Sequence, residues 1–411
     1  MQTLRQDAQT IIDRALSDAL PDAAVRRALA HFRRPEGRLI LIAAGKAAWQ
    51  MAYAAYAALG AQVSGGAVIT KYGHSRGPVG PLEIFEAGHP VPDENSCHAA
   101  GRALELVSGL RAEDTVLFLL SGGGSALFER PLVPLEELTE LTKQLLACGA
   151  DIVEMNTLRK RLSAVKGGRF AERCFPAKVF SIVLSDILGD PLDMIASGPA
   201  CPDSSTCAQA LAIVKKYDLH LSERALALLA QETPKALSNV ETHITGSVRQ
   251  LCASAEAAAR SLGYTPVVLT DCLRCTARSA GSFLASIAQS HQESTASLAF
   301  IAGGETVVQL TGSGLGGRNQ ELALAAAQEI AGCKDTAVFS LGSDGTDGPT
   351  DAAGGYCDGK TRAALAAKGI SIPDVLQQND SYHALQACGG LIVTGPTGTN
   401  VNDLSVLLIR R

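Results

Sequence analysis

Thr115-Val-Leu-Phe-Leu-Leu-Ser-Gly-Gly-Gly-Ser125 decides the architecture. Its apolar run has the length and composition of a strand buried on both faces, and the three glycines that follow let the backbone turn sharply where the strand ends. Strands of that kind lie in parallel sheets covered by helices. Working outward, Arg38 to Ala44 reads as a second buried strand with a helix over Lys46 to Leu59 behind it. Gly66 to Thr70, Glu83 to Ala87 and Lys178 to Leu184 read as further strands, and Pro134 to Cys148 and Thr157 to Val165 as helices.

Periodicity is lost over Thr233 to Thr245, and a second alternating series begins at Gly246. Its strands are expected at Thr265 to Thr270, Ser297 to Ala302, Thr306 to Leu310, Thr336 to Leu341, Leu391 to Val393 and Leu404 to Ile409, with helices over 248–262, 276–290, 319–331 and 359–368. A chain of 411 residues exceeds what one core usually supports. Two α/β domains are therefore expected, 1–238 and 239–411, facing each other across a cleft that holds the active site.

The composition is 46% hydrophobic but only 4% aromatic, with 40 glycines, which suits aliphatic helices on strands joined by tight turns. A formal charge of −5 without a basic block gives no electrostatic reason to expect nucleic acid or an anionic membrane. The N-terminal segment is an amphipathic helix, and no apolar run reaches membrane-spanning length. Eleven scattered cysteines, including the lone Cys272-Leu-Arg-Cys275, form neither a disulfide framework nor a zinc pattern, so a cytoplasmic protein is expected.

Chemistry is suggested by four glycine-rich turns, at Ser121–Ser125, Thr311–Glu321, Gly342–Gly348 and Thr394–Asn400. Ser121, Gly122, Gly123, Gly124 and Ser125 can present successive N–H groups as a nest for phosphate oxygens, or simply make a tight turn. Gly312-x-Gly314-x-x-Gly317 satisfies a dinucleotide fingerprint in form, but Arg318 follows at once and no acidic ribose ligand is evident. Anion binding by Gly314, Gly316, Gly317 and Arg318 at a helix start is the preferred reading, with a NAD site and a structural turn as alternatives. Lys46 stands where a strand meets a helix, as an anion ligand or as a solvated cation. Aspartates cluster in Ser185–Asp190 and Asp344–Asp351. Phosphoryl transfer needs Mg²⁺ on one or two carboxylates, cations for the phosphates and an acceptor for the hydroxyl proton, and all these parts are present. The histidines, His74 and His89 among them, show no ligand spacing.

Gly45-Lys46-Ala-Ala, Ser121–Leu127, Asn156-x-x-Arg159 with Lys166-Gly-Gly168, Ser185-Asp186 with Gly189-Asp190, and Ile195-Ala-Ser-Gly-Pro199 resemble the class II glycerate 2-kinases. So do Gly303-Gly-Glu305, Gly316–Glu321, Gly345–Gly354 and Thr394–Asp403, so the resemblance spans nearly the whole chain. It implies an N-terminal Rossmann-like domain, a smaller C-terminal domain of the MOFRL type, and ATP-dependent phosphorylation of D-glycerate at its 2-hydroxyl with Mg²⁺. Lys46 and Arg318 match the family's two proposed active-site cations, with Asp186, Asp190 and Asp347 among the acidic groups of its cleft. On the same basis Asp186 and Asp347 are expected to be catalytic, Asp186, Asp190 and Asp344 to hold metal, Lys166 to bind phosphate, and Asn156, Arg159 and Asn319 to bind substrate. Relatives also carry the label hydroxypyruvate reductase, so an NAD(P)H-dependent reductase is the alternative. A homodimer is compatible with this reading.

Overall fold

The computed structural model describes residues 3–411, and its chain divides by contacts into two compact units. Of the described residues, one unit comprises 24–185 and 190–245; the other comprises 3–23, 186–189 and 246–411.

The first unit is built on strands β1 (Leu39–Ala44), β2 (Val63–Lys71), β3 (Leu82–Ala87), β4 (Thr115–Leu120), β5 (Lys178–Leu184) and β6 (Val240–Gly246), in the order β3-β2-β1-β4-β5-β6. The pairings β3-β2, β2-β1, β1-β4 and β4-β5 are all parallel. Every residue of β1 and β4 is buried, as their unbroken apolar runs require. Leu39, Leu41 and Ala43 pack with the helix Ala48–Leu59. Phe118 instead contacts Phe170 at 4.7 Å between ring centroids, and Phe128 meets Phe170 edge-on. Because the chain leaves β1 toward β2 but leaves β4 toward β5, strand order reverses between β1 and β4. In open α/β sheets that reversal opens a crevice at the carboxyl ends of the two strands.

The second unit holds β7 (Thr265–Leu273), β8 (Leu298–Gly304), β9 (Thr336–Gly342), β10 (Gly354–Asp358), β11 (Leu391–Ile392) and β12 (Asp403–Ile409), ordered β11-β10-β9-β12-β8-β7. Only β7-β8 pairs in parallel; β12 runs antiparallel to β8 and β9, and β10 to β9 and β11. Helices Leu4–Ala19 and Val248–Ser261 cover one face, and Ala277–Ser290 and Arg318–Glu329 the other.

The expected α/β architecture, a parallel sheet with flanking helices followed by a second α/β unit, is present, with corrections. Residues 3–23 belong to the second unit, and the first unit runs on through β6 to Thr245, so the contacts do not divide at 238/239. β6 was missed because it is only partly buried, and partial burial leaves weak alternation. β10 was missed because it opens with Gly354-Gly355, where a Cβ at Gly354 would lie 1.9 Å from the Ser340 carbonyl oxygen. Thr306 to Leu310 is no strand; only Val307 bridges, to Thr276. The helix placed at Thr157 begins at Ile152, after a reciprocal cap between Asp151 and Glu154.

Asp7 fastens the N-terminal helix to the second sheet. Its carboxylate is fully buried, accepting from the Tyr264 hydroxyl at 2.6 Å and pairing with Arg410 at 2.9 Å. Asp7→Ala should destabilise the protein by about 1–3 kcal/mol in urea unfolding, because it strands the buried Tyr264 hydroxyl. A loss below about 1 kcal/mol would mean that this helix is held by apolar packing alone.

Candidate active site

The crevice between β1 and β4 carries Lys46 and the Ser121–Ser125 turn. The Gly45-Lys46 turn ends β1, and the Ser121–Ser125 turn ends β4. They are locked together: the Lys46 N–H donates to the Gly122 carbonyl at 2.9 Å and the Ala47 N–H to Ser121 Oγ at 3.1 Å. Gly45, at φ 129°, permits that approach, since a Cβ there would lie 2.2 Å from Ser121 Oγ. Gly123 turns in the left-handed region at φ 86°, and Gly124 starts the short helix that follows.

Among the described residues, the amides of Gly122, Gly123 and Ser125 have no hydrogen-bond acceptor, and these residues are partly exposed. Together they form the open nest of donors that an oxyanion fills. The half-buried Lys46 side chain lies along it, its Cγ 3.1 Å from the position of a Cβ on Gly123, and its ammonium pairs with no carboxylate among the described residues. His89 stands on the same glycine, its Cδ2 3.0 Å from that position. Metal-ligand spacing was the signal sought for histidines, and His89 has none; its place depends on the fold of 88–93.

Around the nest, Ser197 donates from Oγ to Asn156 Oδ1 at 2.9 Å and approaches Ser125 Oγ at 3.3 Å. Ala196 and Ser197 are both left-handed, at φ 49° and 60°, a strain that costs about 1–3 kcal/mol per residue and gathers at functional sites. One turn beyond Asn156, the partly buried Arg159 donates to the Thr142 hydroxyl at 3.2 Å and has no carboxylate within ion-pair distance among the described residues. Burial lowers its pKa.

Lys166 corrects the sequence reading. It is fully buried and donates to the carbonyls of Ser125 and Phe128 and to the Glu129 carboxylate, so its three protons are used within the protein. It shapes the nest from below and has no proton left for a phosphate.

In the second unit the start of helix Arg318–Glu329 needs a larger revision. Its N-terminal amides already hold an anion: the Asp347 carboxylate accepts from the N–H groups of Asn319 at 3.1 Å and Gln320 at 2.9 Å, and from both side-chain amides. Gly314, Gly316 and Gly317 are glycines for another reason. A Cβ on them would lie 2.5 Å from Asp380, 2.2 Å from Ser381 and 2.3 Å from Asp347 respectively. The fingerprint thus records close approach of the chain to itself, and neither a phosphate nor a dinucleotide is needed to explain it. Asn319 is buried as well, its amide spanning Asp347 and Ser340.

Arg318 is partly exposed, its fork held by Asp403 through Nε and, at 2.9 Å, through Nη2, with Glu305 3.3 Å from Nη1. One N–H on each terminal nitrogen remains available. Of the expected metal ligands, Asp344 accepts the Thr346 N–H at 3.0 Å, and the Asp186 carbonyl accepts from Asn402 at 3.3 Å. Asp190, left-handed at φ 52°, has a buried carboxylate oxygen without a hydrogen-bond partner. Among the described residues no three His, Cys, Asp or Glu side chains converge as a metal site, and no helix is long and apolar enough to cross a membrane.

Comparison with known proteins places this geometry. Residues 7–230 match the family described as "Domain of unknown function (DUF4147)", and 298–403 match the MOFRL family. A D-glycerate 2-kinase of Thermotoga maritima is 53% identical over 99% of both chains. The chain belongs to the class II glycerate 2-kinase family. A crystal structure of glycerate kinase from Thermotoga maritima superposes with a TM-score of 0.93, covering 99% of each chain at 53% identity. A protein of Agrobacterium vitis named putative hydroxypyruvate reductase is 41% identical over 98% of this chain and 94% of its own length.

Burial raises the Asp347 carboxyl to about 6, because desolvation outweighs its helix-cap hydrogen bonds. The folded state then holds this proton more tightly than the unfolded chain, whose carboxyl titrates near about 4. Stability from this group is present below about pH 4 and lost as the pH rises through about 6. The urea stability of wild type relative to Asp347→Asn should therefore fall by about 3 kcal/mol across that window. A flat difference would mean that the capping donors keep Asp347 ionised throughout.

Proposed function

We propose that this chain is a cytoplasmic, ATP-dependent D-glycerate 2-kinase, transferring the γ-phosphoryl group to the 2-hydroxyl with release of ADP. One observation carries the reading: the Lys46 side chain, whose ammonium makes no ion pair among the described residues, passes a nest of unfilled amides at the point where strand order reverses. Phosphoryl transfer demands little covalent chemistry of a protein. It demands preorganised donors aimed at oxygens on which negative charge is spread.

The residues divide accordingly. Gly122, Gly123 and Ser125 hold phosphate oxygens through their amides, and Lys46 meets the charge on the transferring group. Arg159, with no carboxylate in ion-pair distance among the described residues, is the candidate in this unit for the glycerate carboxylate, with Asn156 holding the Ser197 segment in place. Arg318 contributes through its two unused N–H groups. Asp347, which spends its oxygens on a helix cap, acts by positioning Arg318 and not by receiving a proton; Asp186 remains the proposed acceptor.

Mg²⁺ fits this site as a companion of the nucleotide, since it is usually held by one or two carboxylates with phosphates and water completing its shell. Asp190 has the spare carboxylate oxygen for that, with Asp186 and Asp344 as further candidates. When bound, the ion neutralises phosphate charge.

Incubation with ATP, Mg²⁺ and D-glycerate should give ADP and a 2-phosphoglycerate signal by phosphorus NMR, and chelation should abolish both. Oxidation of NADH by hydroxypyruvate with no ADP formed would replace the kinase with a reductase.

Lys46→Ala should lower kcat by on the order of a hundredfold or more, the scale seen when one preorganised electrostatic donor is removed, with little change in the Kd of ATP by calorimetry. Loss of ATP binding with kcat preserved at saturation would make Lys46 a nucleotide anchor and overturn its assigned role.

A further inference from the structure

At the opposite end of the second sheet from Arg318 lies a cavity of about 320 Å³, lined by Arg5, Tyr356, Asp358, Lys360, Cys388 and Gly389 among others. Its place follows from the register. Asp403, the partner of Arg318, pairs with Gly342 at the end of β9, whereas Asp358 pairs with Ala337 near its start. The two ends are separated by roughly 14–17 Å of strand. The volume is at the small end of the range for metabolite pockets.

Three groups in this cavity have unused donors, one of them, on Arg5, buried. The Arg5 guanidinium lies 4.5 Å from the centroid of the Tyr356 ring and donates from Nη2 to the Leu391 carbonyl at 2.8 Å. Its Nη1 is buried without an acceptor, and among the described residues no carboxylate comes within ion-pair distance. Tyr356 lines the cavity, and its hydroxyl has no hydrogen-bond partner among the described residues. Lys360 stands exposed at the rim, and its ammonium makes no ion pair among the described residues. The one carboxylate, Asp358, already accepts on Oδ1 from the Lys360 N–H at 2.9 Å and the Thr361 hydroxyl at 3.1 Å.

We propose that this cavity binds a small phosphate-bearing metabolite, held by Arg5, Lys360 and the Tyr356 hydroxyl. Two cations against one carboxylate leave a positive excess that selects an anion. Three donors of different type, a planar fork, a point charge and a hydroxyl, suit the three terminal oxygens of a phosphate better than the two of a carboxylate. Burial depresses the Arg5 pKa, a cost that a bound anion relieves.

The test uses the full chain saturated with D-glycerate and a non-hydrolysable ATP analogue, so that the catalytic site is occupied, and measures labelled orthophosphate by equilibrium dialysis. One orthophosphate should bind per chain. Arg5→Gln and Lys360→Gln should each weaken it about tenfold, and Tyr356→Phe by about threefold, the scale of a lost hydrogen bond to a charged or neutral donor. If Arg5→Gln fails to fold by circular dichroism, the other two variants decide. Absence of binding, or binding unchanged in the folded variants, would overturn the site. Displacement by malonate as effective as by unlabelled phosphate would overturn the preference for phosphate.

Discussion

The backbone contact between the Gly45-Lys46 turn and the Ser121–Ser125 turn is the constraint on which the first unit depends. Two neighbouring parallel strands whose chains leave in opposite directions end side by side, with no connection crossing above them. The contact consumes the acceptors of the β4 turn: the Gly122 carbonyl takes the Lys46 N–H, and Ser121 Oγ takes the Ala47 N–H. What remains on that turn is a set of donors. A loop whose acceptors are used internally and whose donors face outward discriminates for anions by its wiring, before any charged side chain is counted.

The buried charges beneath the turn serve the same end. Lys166 and Glu129 sit out of water, an arrangement whose desolvation cost is several kcal/mol per ion unless further hydrogen bonds complete it. Two main-chain acceptors, one of them the Ser125 carbonyl, supply that completion for Lys166, while Glu129 Oε1 has no hydrogen-bond partner among the described residues. The bond to Ser125 anchors the short helix that follows the nest to the buried ion pair. The left-handed Ala196 and Ser197 bring the Ser197 hydroxyl against Asn156 and Ser125, so the nest is buttressed from two directions.

Much of this was legible in the amino-acid order, and the parts that were not share a physical cause. β1 and β4 announce themselves because a strand buried on both faces must be apolar at every position, and glycines at their ends mark turns that no side chain could occupy. The role of Asp347 was not readable. An aspartate in a turn can face a metal, a substrate proton or a helix start, and the choice is made by residues 27 and 28 positions away. The glycines of 312–317 were ambiguous for a related reason, since a glycine that admits a ligand and one that admits the chain's own backbone look identical in sequence. Lys166 looked like a phosphate ligand because its motif adjoins others that line the nest, but its burial depends on Glu129, which no motif singled out. β6 and β10 were lost where edge exposure or paired glycines erased the alternation.

Arg318 brings electrostatics to the second unit in a less obvious way. Around it stand Asp403, Glu305 and Asp347, the last titrating at about 6 and therefore largely ionised at neutral pH. One guanidinium among three carboxylates leaves the cluster net negative, so a bare polyphosphate approaching it would be repelled despite the arginine. The two donors left on Arg318 become attractive to phosphate oxygens only if a cation arrives with them or a carboxylate is protonated. On the proposed reading the nest of the first unit accepts an anion without help, whereas this cluster favours one that carries its own counter-charge. A magnesium-bearing nucleotide has that form, which gives an electrostatic reason for the metal requirement proposed for the reaction.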